Sequence, residues 1–234
     1  MVIGMTSKRR ICFIFIFLIF IIFISVGYFF INRKVQEDRL FSDVLQISHL
    51  NYIEDYKFPS STVTNQFLDV EKNIEQYLKL FSRQASKVIL YGDDSKLESL
   101  LSTNNYLEDG PEFLDSISYI KEKKSSFEQD MNSLLLYFEK SYIRNYISNC
   151  KLPSYYKKLF NQAMFSNGIY DNLIILKDDF LDSASYINHI YQRSLEVLEF
   201  LSSHSADWKI ENNEIQFSTE ELVNQYMELV SEIK

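Results

Sequence analysis

The sequence predicts an all-α protein with one N-terminal transmembrane helix, an elongated helical-bundle domain and a small C-terminal β-hairpin. Three observations lead to this fold class. Residues 11–31 are 21 consecutive positions without a charged residue, Asn, Gln or Pro. Only five Gly and three Pro occur in 234 residues, which disfavours a fold with many turns. Apolar residues recur at steps of three and four over long stretches, as they do on one face of an α-helix.

The apolar run has the length of a membrane span. At about 1.5 Å per residue, the helical run extends roughly 32 Å, close to the roughly 30 Å of the hydrocarbon core of a bilayer. Basic residues flank it on both sides, namely Lys8, Arg9 and Arg10 before it and Arg33 and Lys34 after it. A cleaved signal peptide has a shorter apolar region and a small-x-small cleavage site, which residues 28–31 do not offer. We therefore expect an uncleaved signal-anchor over residues 11–32.

The flanking charges predict the orientation of this anchor. Three basic residues lie on each side of the span, since Arg39 follows Arg33 and Lys34, but the tight cluster at residues 8–10 and the free amine favour a short cytoplasmic tail over residues 1–10. Long C-terminal domains cross the membrane largely regardless of their charge. We expect a single-pass protein of the cell membrane, with residues 33–234 forming an extracytoplasmic ectodomain of the cell envelope.

The charge of the ectodomain limits the classes of partner. Residues 1–34 hold five of the 24 basic residues and none of the 32 acidic ones, so residues 35–234 carry a net charge of −13. A nucleic-acid-binding protein would show a basic patch or stripe, and the sequence shows none. We expect the membrane and a protein as partners, and no nucleic acid. Cations and basic proteins suit an acidic surface best.

Apolar periodicity predicts the helices of the bundle. Residues 63–90 carry a stripe that repeats every seven residues, as in a coiled coil, formed by Val63, Phe67, Val70, Ile74, Tyr77, Phe81, Ala85 and Val88. Gly92 then suits the left-handed position that ends a helix. Further helices are predicted over about 35–56, 94–102, 111–149, 155–165 and 170–203, and the third of these would be one helix of about 39 residues.

The C-terminal region changes pattern. Residues 208–217 alternate apolar and polar side chains around Asn212-Asn213, which predicts two short strands in a hairpin. Ser218 followed by Glu221 has the spacing of a capping box, so a last helix is predicted over residues 218–233.

Two clusters could carry a site. Asp178, Asp179 and Asp182 have the DDxxD spacing that can hold magnesium from one helix face, although Phe180 belongs to the predicted core stripe and no second cluster occurs. Tyr155 and Tyr156 follow a break at Pro153, and exposed tyrosine is a favoured contact residue.

No nucleophile, metal or phosphate-binding motif of a known enzyme class occurs, and no cofactor is predicted. We expect a non-enzymatic interaction or scaffold module. The alternatives are a ligand-sensing helical bundle and, more remotely, a magnesium-dependent enzyme that uses residues 178–182.

Overall fold

The computed structural model describes residues 7–53 and 57–233, with side chains from residue 19 onward. Most of these residues are α-helical, one long apolar helix lies at the N-terminal end, and a two-stranded antiparallel hairpin lies near the C-terminal end. These features confirm the predicted fold class. Of the predicted cytoplasmic tail, residues 1–6 lie outside the described part of the chain.

The helices are α1 (Ser7–Ser48), α2 (Asn65–Ile89), α3 (Ser95–Leu100), α4 (Thr103–Glu108), α5 (Leu114–Leu136), α6 (Lys140–Asn149), α7 (Ser154–Ser166), α8 (Ile169–Ser203) and α9 (Glu220–Ser231). A 3-10 turn, Leu90–Gly92, extends α2, and the two strands are β1 (Trp208–Glu211) and β2 (Glu214–Phe217). The chain divides into two compact units. The first contains α1, α2 up to Glu75, and α7, and the second contains the rest of α2, α3 to α6, α8 from Tyr170, the hairpin and α9.

α1 changes character along its length. Its large apolar side chains from Ile19 to Ile31 are 42–71% exposed, whereas Leu40, Val44 and Ile47 are fully buried. Within the described residues, α1 is the one helix long and apolar enough to cross a membrane by length and composition.

The C-terminal end of α1 differs from the prediction. The sequence predicts a helix that continues to Tyr56, but α1 ends at Ser48. The Ser48 hydroxyl donates to the Leu45 carbonyl oxygen at 2.8 Å, a local bond that competes with the helical ladder. The Asn51 side chain then accepts a hydrogen bond from the Ile53 N–H, which stabilises a turn.

Two polar side chains of α1 hold the segment that leads into α2. Asp43 is 3% exposed and accepts hydrogen bonds from the Thr62 N–H at 2.8 Å and from the Thr62 hydroxyl at 2.9 Å. Gln36 is 8% exposed, and its Oε1 accepts a hydrogen bond from the Thr64 N–H at 2.9 Å. The Thr62 hydroxyl therefore ties the segment before α2 to α1.

Glu71 adds a third buried polar group to the first unit. Its Oε2 accepts a hydrogen bond from the Ser61 hydroxyl at 2.6 Å, while its Oε1 is buried without a partner among the described residues. Burial raises the pKa of this carboxyl, the Ser61 hydroxyl opposes the shift, and the charges of Asp43 and Glu75 reinforce it. Burial therefore favours the protonated form of Glu71.

The predicted α2 stripe is confirmed, because all eight of its residues are at most 5% exposed. The prediction for Gly92 is wrong. Gly92 ends the 3-10 turn, and the glycine with a left-handed backbone among the described residues is Gly168, whose φ is +86°. The chain leaves α2 by tightening into i→i−3 hydrogen bonding and so needs no left-handed residue there. Gly168 lies in the turn between α7 and α8.

The predicted 39-residue helix is two helices, α5 and α6, separated at Tyr137–Glu139. The N–H groups of these three residues bind carbonyls three residues earlier, which tightens the turn. The Tyr77 hydroxyl donates to the Tyr137 carbonyl oxygen at 2.6 Å and so takes the acceptor that a continuous helix would use. Phe138, 1% exposed, packs edge-on against Phe81.

Beyond this break the buried face shifts by one residue. Ile143 is fully buried, whereas Tyr142, the residue that the unbroken helix places in the core, is half-buried. The sequence also predicts no separate α4 and starts α5 near Pro111 rather than at Leu114. α4 begins at the Ser102 side chain, which accepts a hydrogen bond from the Asn105 N–H, and α5 follows a left-handed Phe113.

The C-terminal hairpin is confirmed, with Trp208 paired to Phe217 and Ile210 to Ile215. The cap of the last helix differs from the prediction. Thr219 is the N-cap, and its side chain accepts a hydrogen bond from the Leu222 N–H. Ser218 binds Asp207 through both its N–H and its hydroxyl, so it completes the hairpin rather than the helix.

Candidate functional site

The predicted tyrosine pair lies in a cavity of the first unit. Tyr155 and Tyr156 occupy the first turn of α7, and both are half-buried. They line a cavity of about 380 Å³ together with Phe29, Asn32, Arg33, Gln36, Asn65, Gln66 and Phe67. Cavities that bind small molecules start at roughly 300 Å³, so this one is large enough for a ligand of a few atoms.

Local sequence explains why these side chains meet. Phe29, Asn32, Arg33 and Gln36 are spaced by three and four residues and therefore share one face of α1. Asn65 has a left-handed φ of 55°, which lets the extended segment before it turn into α2.

Arg33 and Tyr155 form the polar centre of the cavity. The guanidinium carbon of Arg33 lies 3.4 Å from the centroid of the Tyr155 ring, a cation–π contact. The Tyr155 hydroxyl donates to Oε2 of Glu37 at 3.0 Å. Burial raises the pKa of Tyr155, the hydrogen bond with Arg33 lowers it, and Glu37 raises it again. The phenol therefore stays protonated and acts as a donor to Glu37 at neutral pH.

Aromatic rings form the opposite wall. The rings of Tyr155 and Tyr156 meet edge to face, with centroids 5.1 Å apart, and Tyr156 meets Phe67 in the same way at 5.1 Å. Such contacts fix the orientation of the rings, and this wall is therefore preformed.

The cavity presents a cation without an acidic partner and an amide nitrogen without a hydrogen bond among the described residues. Arg33 forms no ion pair with any acidic residue in the part of the chain that the structure describes. Gln36 uses its Oε1 for the Thr64 N–H, and its amide nitrogen has no hydrogen bond to the described residues. One fixed positive charge and several amide groups therefore line a space that has an aromatic wall, a chemistry suited to an anionic oxygen.

The aspartate cluster lies on α8 in the second unit. Asp178, Asp179 and Asp182 are all exposed, whereas Phe180 is 5% exposed. Among the described residues, no group of three or more His, Cys, Asp or Glu side chains is arranged to hold a metal ion. The three carboxylates therefore lie toward the solvent side of the helix, and a role in magnesium binding stays a prediction.

The second unit contains a smaller cavity that the sequence does not predict. It has a volume of about 220 Å³ and lies between the end of α2, α3 and α8. Tyr191 and Ser194 line it, both are fully buried, and neither hydroxyl has a hydrogen-bond partner among the described residues. Asp94 and Glu98 also line it. The signal in the sequence is Ser194, a hydroxyl residue within the apolar stripe of α8.

Comparison with models of protein families, with curated proteins and with solved structures found no match for this chain.

Proposed function

We propose that the chain is a single-pass membrane protein whose extracytoplasmic helical domain is a non-enzymatic interaction module of the cell envelope. The observation that carries this proposal is the contrast within α1. Its residues from Ile19 to Ile31 expose large apolar side chains, and only 6% of the apolar window is buried. Exposing this much apolar surface to water would cost about 25 cal/mol for each Å².

This contrast argues against a core helix, whose apolar window would be buried. The continuity of α1 into the packed residues Leu40, Val44 and Ile47 supports an anchor that remains attached to the ectodomain. The acidic ectodomain, the heptad-spaced stripe of α2 and the lack of a catalytic constellation in the sequence support an interaction module that holds a helical surface at the membrane.

Two measurements test this proposal. The full chain should stay with the membrane pellet after extraction at high pH. For topology, both native cysteines are first removed with Cys12→Ala and Cys150→Ser. Gln216→Cys in this background places a thiol on an exposed hairpin position, and Ser7→Cys in the same background places one on the other side of the span. Cys150 itself is a poor reporter, because it is half-buried and burial raises the pKa of its thiol.

A membrane-impermeant thiol reagent should label the thiol at position 216 in whole cells and the thiol at position 7 only after permeabilisation. The reverse pattern would overturn the extracytoplasmic placement. Release of the chain into the supernatant, or a mature chain that begins near residue 28, would overturn the anchor itself.

The cavity of the second unit favours a second candidate, a bundle that binds a small ligand between its helices. Buried hydroxyls without partners, as in Tyr191 and Ser194, favour a bound molecule that can hydrogen-bond to them. Asp94 and Glu98 on the cavity wall favour a cationic one. A saturable rise in melting temperature with ethanolamine, absent with ethanol and lost in Ser194→Ala, would support this candidate.

A further inference from the structure

The cavity around Arg33 lies at the end of the apolar half of α1. The exposed apolar residues end at Ile31, and helix geometry places residues 32–36 about 1.5–7.5 Å further along the axis. The headgroup layer on each side of a bilayer is roughly 5–8 Å thick. If α1 spans a membrane as proposed above, Asn32, Arg33 and Gln36 lie at the depth of the lipid phosphates.

The cavity has the chemistry that a phosphate group needs. Arg33 supplies a guanidinium that forms no ion pair with the described acidic residues, and its stacking on Tyr155 at 3.4 Å fixes its position. Gln36 is 8% exposed, lines the cavity and has a free amide nitrogen, since it bonds only Thr64 among the described residues. A guanidinium and amide donors together match the oxygens of a phosphodiester.

The other charges near the cavity limit what can bind. Glu37 accepts a hydrogen bond from Tyr155 and lies one turn beyond Arg33 on α1, while Lys34 lies 3.0 Å from Asp38 in an ion pair. The charges on this stretch of α1 therefore nearly balance, and Arg33 is the cation that the cavity itself presents among the described residues. This arrangement favours one monoanionic phosphodiester over a cluster of anions.

We propose that this cavity binds the phosphodiester headgroup of a membrane phospholipid, with Arg33 as the principal contact and the amide of Gln36 as a second donor. The apolar side chains before Ile31, among them the cavity residue Phe29, lie where the acyl chains of that lipid would run. The inference rests on the proposed membrane insertion of α1 and adds a defined lipid contact to it.

The test uses the full chain in dodecyl maltoside, a detergent without phosphate. Its melting temperature is followed by circular dichroism while dioleoyl phosphatidylglycerol, dioleoylglycerol or inorganic phosphate is added. We expect saturable stabilisation by the phospholipid and none by the diacylglycerol, which has the same acyl chains. Arg33→Gln should raise the lipid concentration for half-maximal stabilisation about tenfold, the typical effect of losing one charge-assisted hydrogen bond.

Two further variants make the result specific. Arg39→Gln removes the same charge from an exposed position of α1 outside the cavity and should leave the lipid response within about twofold. Gln66→Glu adds a negative charge to the cavity at an exposed position and should weaken the response without disturbing the stack on Tyr155. If Arg33→Gln does not fold, the lipid response of Gln66→Glu tests the site in its place.

Three results would overturn the inference: equal stabilisation by dioleoylglycerol, an unchanged lipid response in both cavity variants, or full stabilisation by inorganic phosphate alone, which would indicate a site for a soluble anion. Extraction of membranes at high pH separates this failure from that of the proposed function. A chain that stays in the pellet but shows no phosphate-dependent response contradicts only the lipid site, whereas a released chain contradicts the anchor.

Discussion

Tyr77→Phe tests why the chain breaks between α5 and α6. Tyr77 is fully buried, and its hydroxyl donates to the Tyr137 carbonyl oxygen at 2.6 Å. Phenylalanine keeps the ring and its edge contact with Tyr146, at 5.2 Å between centroids, and removes only the hydroxyl. The substitution therefore isolates one hydrogen bond.

The expected loss follows from the surroundings of that carbonyl. A buried acceptor that loses its partner costs about 1–3 kcal/mol. Tyr137 as a whole is half-buried, so we expect a loss in the lower part of this range, about 1–2 kcal/mol. For a chain of this size, such a loss corresponds to a fall in melting temperature of roughly 2–8 °C.

The assay is thermal unfolding of the full chain in detergent, followed by circular dichroism at 222 nm. Tyr186→Phe is the matched control, because Tyr186 is 57% exposed and its hydroxyl has no hydrogen bond to the described residues. The control should change the free energy of unfolding by less than about 0.5 kcal/mol. A melting temperature in Tyr77→Phe equal to that of the control would refute the reasoning, since the Tyr137 carbonyl would then have found another donor.

Three further substitutions test other buried features by the same assay. Burial raises the pKa of Glu71, so protonation of this carboxyl stabilises the fold fully below the usual pKa of 4.5, and this stabilisation is lost as pH rises through the folded-state pKa. Glu71→Gln should therefore have a higher melting temperature than the native chain at pH 7, and the difference should disappear near pH 4. Ser194→Ala removes a buried hydroxyl that has no hydrogen-bond partner among the described residues, and it should be neutral or stabilise the fold by up to about 1 kcal/mol. A destabilisation of more than about 1 kcal/mol would instead indicate a group bound to this hydroxyl. Gly168→Ala forces a side chain into a backbone with φ of +86° and should cost about 1–2 kcal/mol, while an unchanged melting temperature would show that this turn relaxes.

Apolar periodicity predicted most of the helices because it reports which face of a segment is buried. The stripe from Val63 to Val88 steps by three and four without interruption, and every member lies in the core. The hairpin was equally predictable, since its alternating side chains flank two consecutive asparagines, a residue that tolerates the left-handed backbone found at both positions.

The break in the middle of residues 111–149 could not be read from local pattern. No glycine or proline marks it, and the apolar steps continue across it. At the break the Tyr137 carbonyl oxygen accepts a hydrogen bond from Tyr77, which lies 60 residues earlier in the chain. A tertiary hydrogen bond of this kind leaves no trace in the helical period.

The candidate site was predictable only in part. The break after Pro153 indicated Tyr155 and Tyr156, but nothing in their neighbourhood indicated Arg33, which belongs to a segment more than 100 residues away. The polar residues Gln36 and Asp43 flank the buried stripe of α1, and their burial depends on partners in residues 62–64. From the sequence alone, polar residues at such positions would be assigned to the solvent-facing side of the helix.

The unbroken course of α1 has a mechanical consequence. α1 is one continuous helix from its exposed apolar half to the half that binds Thr62 and Thr64. A shift of the helix along its axis, or a rotation about it, at Ile24 would therefore also move Gln36 and Asp43. Adding a single residue between Ile31 and Gln36 would rotate Gln36 and Asp43 by about 100° about the helix axis and shift them about 1.5 Å along it, relative to the apolar half. Thr62 and Thr64 could then keep their hydrogen bonds only if their segment moved by the same amount.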